Sequence, residues 1–145
     1  MTTTIPTFEV GQTCTYEQVI DDKLVRDFAD LSGDHNAIHV DDAVAKTSRF
    51  GQRIAHGAIL FGLISKALGM DMPGVGTVYL AQTCNFKLPV FIGDTLRATT
   101  EIVELKESKS RPNAGIVTFK HEMLNQRGEI VCQCLRMALV KRKTV

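Results

Sequence analysis

The spacing of the apolar residues changes once along this chain, and that change restricts the fold more than any single residue does. Before about residue 72 apolar positions recur at three- and four-residue intervals between irregular turns; after it they alternate with polar ones. Val78, Leu80, Cys84, Phe86 and Leu88 alternate with Thr77, Tyr79, Thr83, Asn85 and Lys87, which predicts a strand with one strongly buried face. Three more strands are expected at 95–106, 115–124 and 129–141, joined by turns at 110–113 and 125–128. The last turn, with Arg127-Gly128, reads as a hairpin. Connections this short force antiparallel neighbours, because a parallel pair needs a crossover of about a dozen residues. Helices first and an antiparallel sheet afterwards make an α+β chain.

In the helical half, a short extended piece at 13–19 precedes Asp21-Asp22, which can cap a helix carrying Leu24, Val25, Phe28, Ala29 and Leu31. Ser32-Gly33-Asp34 ends it, and a short helix is expected at 41–47. The stretch 54–70 is the most apolar, but His56, Ser65 and Lys66 interrupt it. It falls short of the ~20 residues that span a bilayer, so it reads as a core helix lying in the concave face of the sheet, with no membrane partner. With 145 residues, 44% of them hydrophobic, the chain has material for one core, and residues 1–145 are expected to form a single domain.

Seventeen basic residues balance sixteen acidic ones, and the longest basic run is the tail Lys141-Arg142-Lys143, so no nucleic-acid partner is expected. Residues 1–10 contain no Lys or Arg and no long apolar run, which fits a cytoplasmic protein without a secretory signal. The four cysteines, Cys14, Cys84, Cys132 and Cys134, are too sparse for a disulfide framework and are read as reduced thiols. Cys132 and Cys134 share one strand face, but no second pair or His cluster completes a zinc spacing, so they are read as small buried apolar residues. There is no glycine-rich phosphate loop, nucleotide fingerprint or nucleophile elbow. No cofactor and no metal are expected. Lys87, Arg97 and Arg111 lie scattered on strands and turns and are not assigned to a ligand.

One polar stretch stands out, Ser32-Gly33-Asp34-His35-Asn36-Ala37-Ile38-His39. A carboxylate can take a proton from water, and an imidazole with a pKa near ~6.5 can hold or donate one. Four intervening residues let Asp34 and His39 converge on one water. The spacing alone better fits a turn-capping Asp and a surface His, since turns select Asp for backbone hydrogen bonding.

The wider pattern decides between them. Phe28, Leu31-Ser32-Gly33-Asp34, Asn36, Ile38-His39 and Ala45 closely resemble the hydratase signature of the MaoC-like, (R)-specific enoyl-CoA hydratase family. The resemblance continues through Ala55-His56-Gly57 and through Tyr79-Leu80, Gln82, Phe86-Lys87-Leu88-Pro89-Val90-Phe91 and Gly93-Asp94, and so covers most of the chain. Ala37 stands where the family usually has proline. The resemblance implies a hot-dog fold, a curved antiparallel sheet around one long helix, in a homodimer. It implies reversible hydration of trans-2-enoyl-CoA to (R)-3-hydroxyacyl-CoA, with Asp34 and His39 binding the catalytic water and the Gly57 amide facing the thioester oxygen. Asn36 and His56 would support the loop, and Ser65 and Leu68 would border the acyl pocket. Acyl carrier protein could replace CoA in a 3-hydroxyacyl dehydratase. A hot-dog thioesterase and a non-enzymatic acyl-binding domain are the competing readings; neither gives the intact loop signature a purpose.

Overall fold

The computed structural model describes residues 8–72 and 76–141. The N-terminal seven residues, the start of the alternating segment near Gly74, and Arg142-Lys143 of the basic tail lie outside the described residues.

Five strands form one antiparallel sheet: β1 (Thr13–Val19), β2 (Val78–Phe86), β3 (Thr95–Glu107), β4 (Ala114–Leu124) and β5 (Ile130–Lys141), in the order β1-β3-β4-β5-β2. Between β1 and β2 run α1 (Asp22–Ser32), α2 (Ala37–Val40), α3 (Asp42–Thr47) and α4 (Gly57–Lys66), the last continuing into a π-helical turn, Ala67–Asp71. Local chemistry sets the boundaries. Asp21 caps α1 by accepting from the Leu24 amide at 2.8 Å, and Asp41 caps α3 through the Val44 amide at 3.1 Å. In the β4–β5 hairpin Asn125 Oδ1 accepts from the amides of Arg127 and Glu129, and Gly128 supplies the left-handed conformation, φ 75°.

Helix α4 and its π-helical extension are apolar on most sides because the sheet surrounds them. Ile59, Leu60, Leu63, Ile64 and Leu68 join Leu96, Ile102, Val117, Phe119, Met123 and Val131 in one core. Each large side chain removed from water there contributes about 1.5–3 kcal/mol. A single sheet packed on one long helix is the hot-dog layout that the resemblance implies.

Two expectations need correction. Strand β2 does not have the strongly buried face that its alternation suggests: Val78 and Phe86 are each 53% exposed and Leu80 50%. It is an edge strand, and its register slips between Tyr79 and Ala81, where Leu80 and Ala81 together oppose Met137. The bulge breaks the simple period of two, and Tyr79 beside it, 44% exposed, has its ring under the Arg136 guanidinium at 4.3 Å. The cysteines are also not all thiols. Cys84 and Cys134 are directly paired across β2 and β5 with Cα atoms 4.2 Å apart, and they form a disulfide. Cys14 and Cys132 remain free, and burial raises the pKa of both thiols.

Candidate active site

Helix α1 ends on Gly33, whose φ of 78° lets its amide bond back to the Ala29 carbonyl at 2.9 Å and turns the chain into the polar loop. The loop is held by its own side chains. Ser32 Oγ accepts from the Asp34 amide, Asp34 Oδ1 from the Asn36 amide at 3.2 Å, and Asn36 Oδ1 from the Ile38 amide at 3.2 Å, which caps α2. Ala37 is the first residue of α2, the helical position that tolerates proline best, so alanine there keeps the helix and gives up only proline's fixed φ.

His39 sits at the end of that short helix. Its Nδ1 donates to the Ile54 carbonyl at 2.7 Å, because a carbonyl can only accept, and this leaves Nε2 as the lone-pair nitrogen of the neutral ring. His56, buried at the N-cap of α4, donates from Nε2 to the Asp34 carbonyl at 2.9 Å. Its Nδ1 is buried without a partner among the described residues. The rings of His39 and His56 stack with centroids 3.8 Å apart, and Phe28 packs against His56 at 4.9 Å. A carboxylate oxygen of Asp34 and one ring nitrogen each of His39 and His56 all lie within 4.8 Å of one another.

These three residues make a poor metal site. The two imidazole planes are only 26° apart and stacked, so their in-plane lone pairs run side by side instead of converging on one ion. The sulfur cluster of Cys84, Cys132 and Cys134 is equally unsuited, since two of its three sulfurs are joined to each other. The Asp-His arrangement is better matched to a water, which an exposed carboxylate and a half-buried imidazole can hold between them.

Gly57 opens α4, so its amide has no acceptor within the helix and lies at the positive end of the helix dipole. A cleft of about 300 Å³ passes this glycine, lined by Arg49, Phe50, residues 54–57 and Leu60 on one stretch of chain and by residues 86–90 on the other. A Cβ at Gly57 would stand 3.1 Å from Cε1 and 3.2 Å from Cζ of Phe86, so the missing side chain is what keeps the approach to the amide open. Asp34, His39 and His56 are thus brought together, with Asn36 bonded to Asp34, and of these residues His56 lines the cleft beside Gly57 while Asp34, Asn36 and His39 do not. Ser65 and Leu68 are not part of that cleft: Ser65 Oγ lies 3.2 Å from the Tyr79 hydroxyl, and Leu68 is fully buried in the core.

Arg53 has no counterpart in the sequence reading. Only 8% exposed, it donates from Nε to Asp42 at 2.7 Å, from Nη2 to Asp22 at 2.6 Å and from Nη1 to the His39 carbonyl at 3.2 Å, tying α1 and α3 to the residue beside the site. Its hydrogen bond to Asp22, followed by that of Arg26, holds the Asp22 carboxyl below the usual range. Because its partners lie 11, 14 and 31 residues away, no local spacing marks it. The segment after it is stitched on both sides, by the Ile54 amide to the Ile38 carbonyl and by the Ala55 amide to the Val90 carbonyl at 2.7 Å.

Known proteins share this sequence pattern and fold. Residues 5–123 match the family model described as MaoC like domain. The (R)-specific enoyl-CoA hydratase of Aeromonas caviae is 43% identical over 122 residues, 84% of this chain and 87% of that protein. The 3-hydroxybutyryl-CoA dehydratase of Methylorubrum extorquens is 44% identical over 103 residues, 71% of this chain and 66% of that one. Among solved structures, an (R)-hydratase from A. caviae involved in PHA biosynthesis superposes with a TM-score of 0.84 at 36% identity, covering 94% of this chain and 98% of that chain. An R-hydratase from Pseudomonas aeruginosa in its unliganded form also gives 0.84, at 38% identity, covering 94% and 84%. The match over most of the sequence, and the hot-dog architecture shared with these hydratases, place the chain in the MaoC-like domain family.

Proposed function

We propose that this protein catalyses the reversible hydration of trans-2-enoyl-CoA to (R)-3-hydroxyacyl-CoA. The observation that carries this reading is the meeting of Asp34, His39 and His56 within 4.8 Å, one residue from the free amide that opens α4. Asp34 takes a proton from the bound water, and His39 Nε2 accepts the water's other hydrogen and so orients it. The water oxygen bonds to C3, the C2=C3 electrons move onto the thioester oxygen, and the Gly57 amide stabilises that enolate-like charge. Asp34 then hands that proton to His39 Nε2, which delivers it to C2, so the carboxylate and the neutral imidazole are both restored. One amide of this kind is worth about 2.7–4 kcal/mol in the transition state. Dehydration is the same path in reverse, in keeping with the names of both curated relatives described above.

The test is turnover of crotonyl-CoA. Loss of the conjugated enoyl absorbance without thiol release marks hydration, and thiol release marks hydrolysis. Asp34→Asn and His39→Gln should each lower turnover by about 10²–10⁴-fold; wild-type rates from both folded variants would refute the assignment.

A homodimer completes the proposal. Strand β2 is a nine-residue edge with no charged residue, and Val78 and Leu80 on it are half exposed, the kind of edge that pairs with another strand. A second copy offers the same edge, and a two-fold contact would satisfy both. Among the described residues no helix is long and apolar enough to cross a membrane.

A further inference from the structure

The cleft at Gly57 carries a charge pattern for which the hydration chemistry has no use. Arg49 and Lys87 stand on its two stretches of chain, and no carboxylate lines it. Both residues are exposed, and neither forms an ion pair among the described residues. Other surface cations, Lys46 and Lys120 among them, are also without an ion pair among the described residues, so what distinguishes Arg49 and Lys87 is their place on the two sides of one cleft that holds no carboxylate. The Arg49 guanidinium has one packing contact, and the backbone that carries Lys87 is fixed. The Arg49 guanidinium lies over the Phe50 ring, 4.7 Å from its centroid, and the Lys87 amide donates to the Val131 carbonyl at 2.9 Å. Phe50, Leu88 and Pro89 make the wall beside them largely apolar.

An open cleft with a helix-terminal amide at one point, apolar walls and two unpaired cations fits a thioester whose neutral arm ends in phosphates. We infer that Arg49 and Lys87 hold the phosphates of CoA, Arg49 through its planar fork and Lys87 as a point charge, and thereby set a preference for CoA over phosphate-free thioesters. This rests on the thioester reading of the same site. Both contacts are exposed, so each is modest and is screened by salt.

The experiment compares kcat/KM for crotonyl-CoA and crotonyl-pantetheine in the wild type and in R49Q/K87Q, at low and high salt. The wild-type preference for the CoA thioester should fall about ten-fold in the variant, mainly through KM, and its salt dependence should flatten. An unchanged preference overturns the inference, as does a loss confined to a crotonyl carrier-protein thioester. Calorimetric titration with free CoA reads the same contact without turnover. Weaker binding by the variant, alongside no hydration by the wild type, would refute the hydratase reading and leave the phosphate contact standing. Equal binding by both proteins would remove the contact.

Discussion

Gly57→Ala tests the proposed oxyanion site with the smallest possible change. The added Cβ would lie 3.1 and 3.2 Å from two Phe86 ring carbons, a few tenths of an ångström inside ordinary carbon–carbon contact. Phe86 is 53% exposed on an edge strand, so its ring can yield. Alanine also favours a helix by up to about 1 kcal/mol over glycine, so the two effects roughly offset and the variant should fold with stability within about 1 kcal/mol of wild type. Activity should respond differently. The methyl and the displaced ring occupy the approach to the Gly57 amide, and loss of that hydrogen bond to the developing oxyanion corresponds to about 10²–10³ in turnover. Urea unfolding and crotonyl-CoA hydration separate the two readouts. The double variant Gly57→Ala/Phe86→Leu should relieve the crowding without restoring the rate. Near-wild-type hydration by Gly57→Ala would show that this amide does not face the reacting oxygen.

Three other outcomes follow from the geometry. His121, 1% exposed and bonded to Thr100 at 2.8 Å, has its pKa lowered to about 3 by burial and then by the Arg136 charge. The unfolded chain takes up this proton near pH 6.5 while the folded protein refuses it, so stability is full above that pH and falls as pH drops toward 3, by about 2 kcal/mol at pH 5. Urea unfolding at pH 7 and pH 5 should show this loss in the wild type and a smaller one in His121→Gln; equal losses would discharge His121 from the role. Reducing the Cys84–Cys134 bond, which closes 50 residues of chain, should cost about 2–4 kcal/mol of stability. Identical denaturant midpoints with and without dithiothreitol would contradict that. Val78→Lys places a charge on the exposed β2 edge and, in the proposed homodimer, should shift light-scattering mass from dimer toward monomer; a wild-type monomer, or a mass the variant leaves unchanged, would refute the β2 contact.

Much of the architecture was legible because its signals are local. Asp21, Asp41 and Gly33 set helix boundaries through bonds to residues within four positions, and the Asn125–Gly128 turn fixes the β4–β5 hairpin in the same way. The polar loop could be picked out for the same reason, since Ser32, Asp34 and Asn36 each bond an amide two positions on. The burial of β2 was misjudged because alternation reports which residues share a face, not whether anything covers it, and a single bulge reverses the faces beyond it.

The sequence by itself therefore determined the strands, the helices other than the short α2, the antiparallel connectivity imposed by short turns, and the Asp34–His39 candidate pair, all of which depend on neighbours along the chain. Tertiary structure alone decided which groups meet across it. The disulfide depends on the register that sets Cys84 opposite Cys134, the clamp on the site depends on Arg53 reaching Asp22 and Asp42, and the stack of His56 on His39 depends on how α4 enters the core. Such contacts are fixed by packing between elements distant in sequence, where no spacing rule reaches, and they set Asp34 and His39, the proposed acid-base pair, beside His56 at the start of α4.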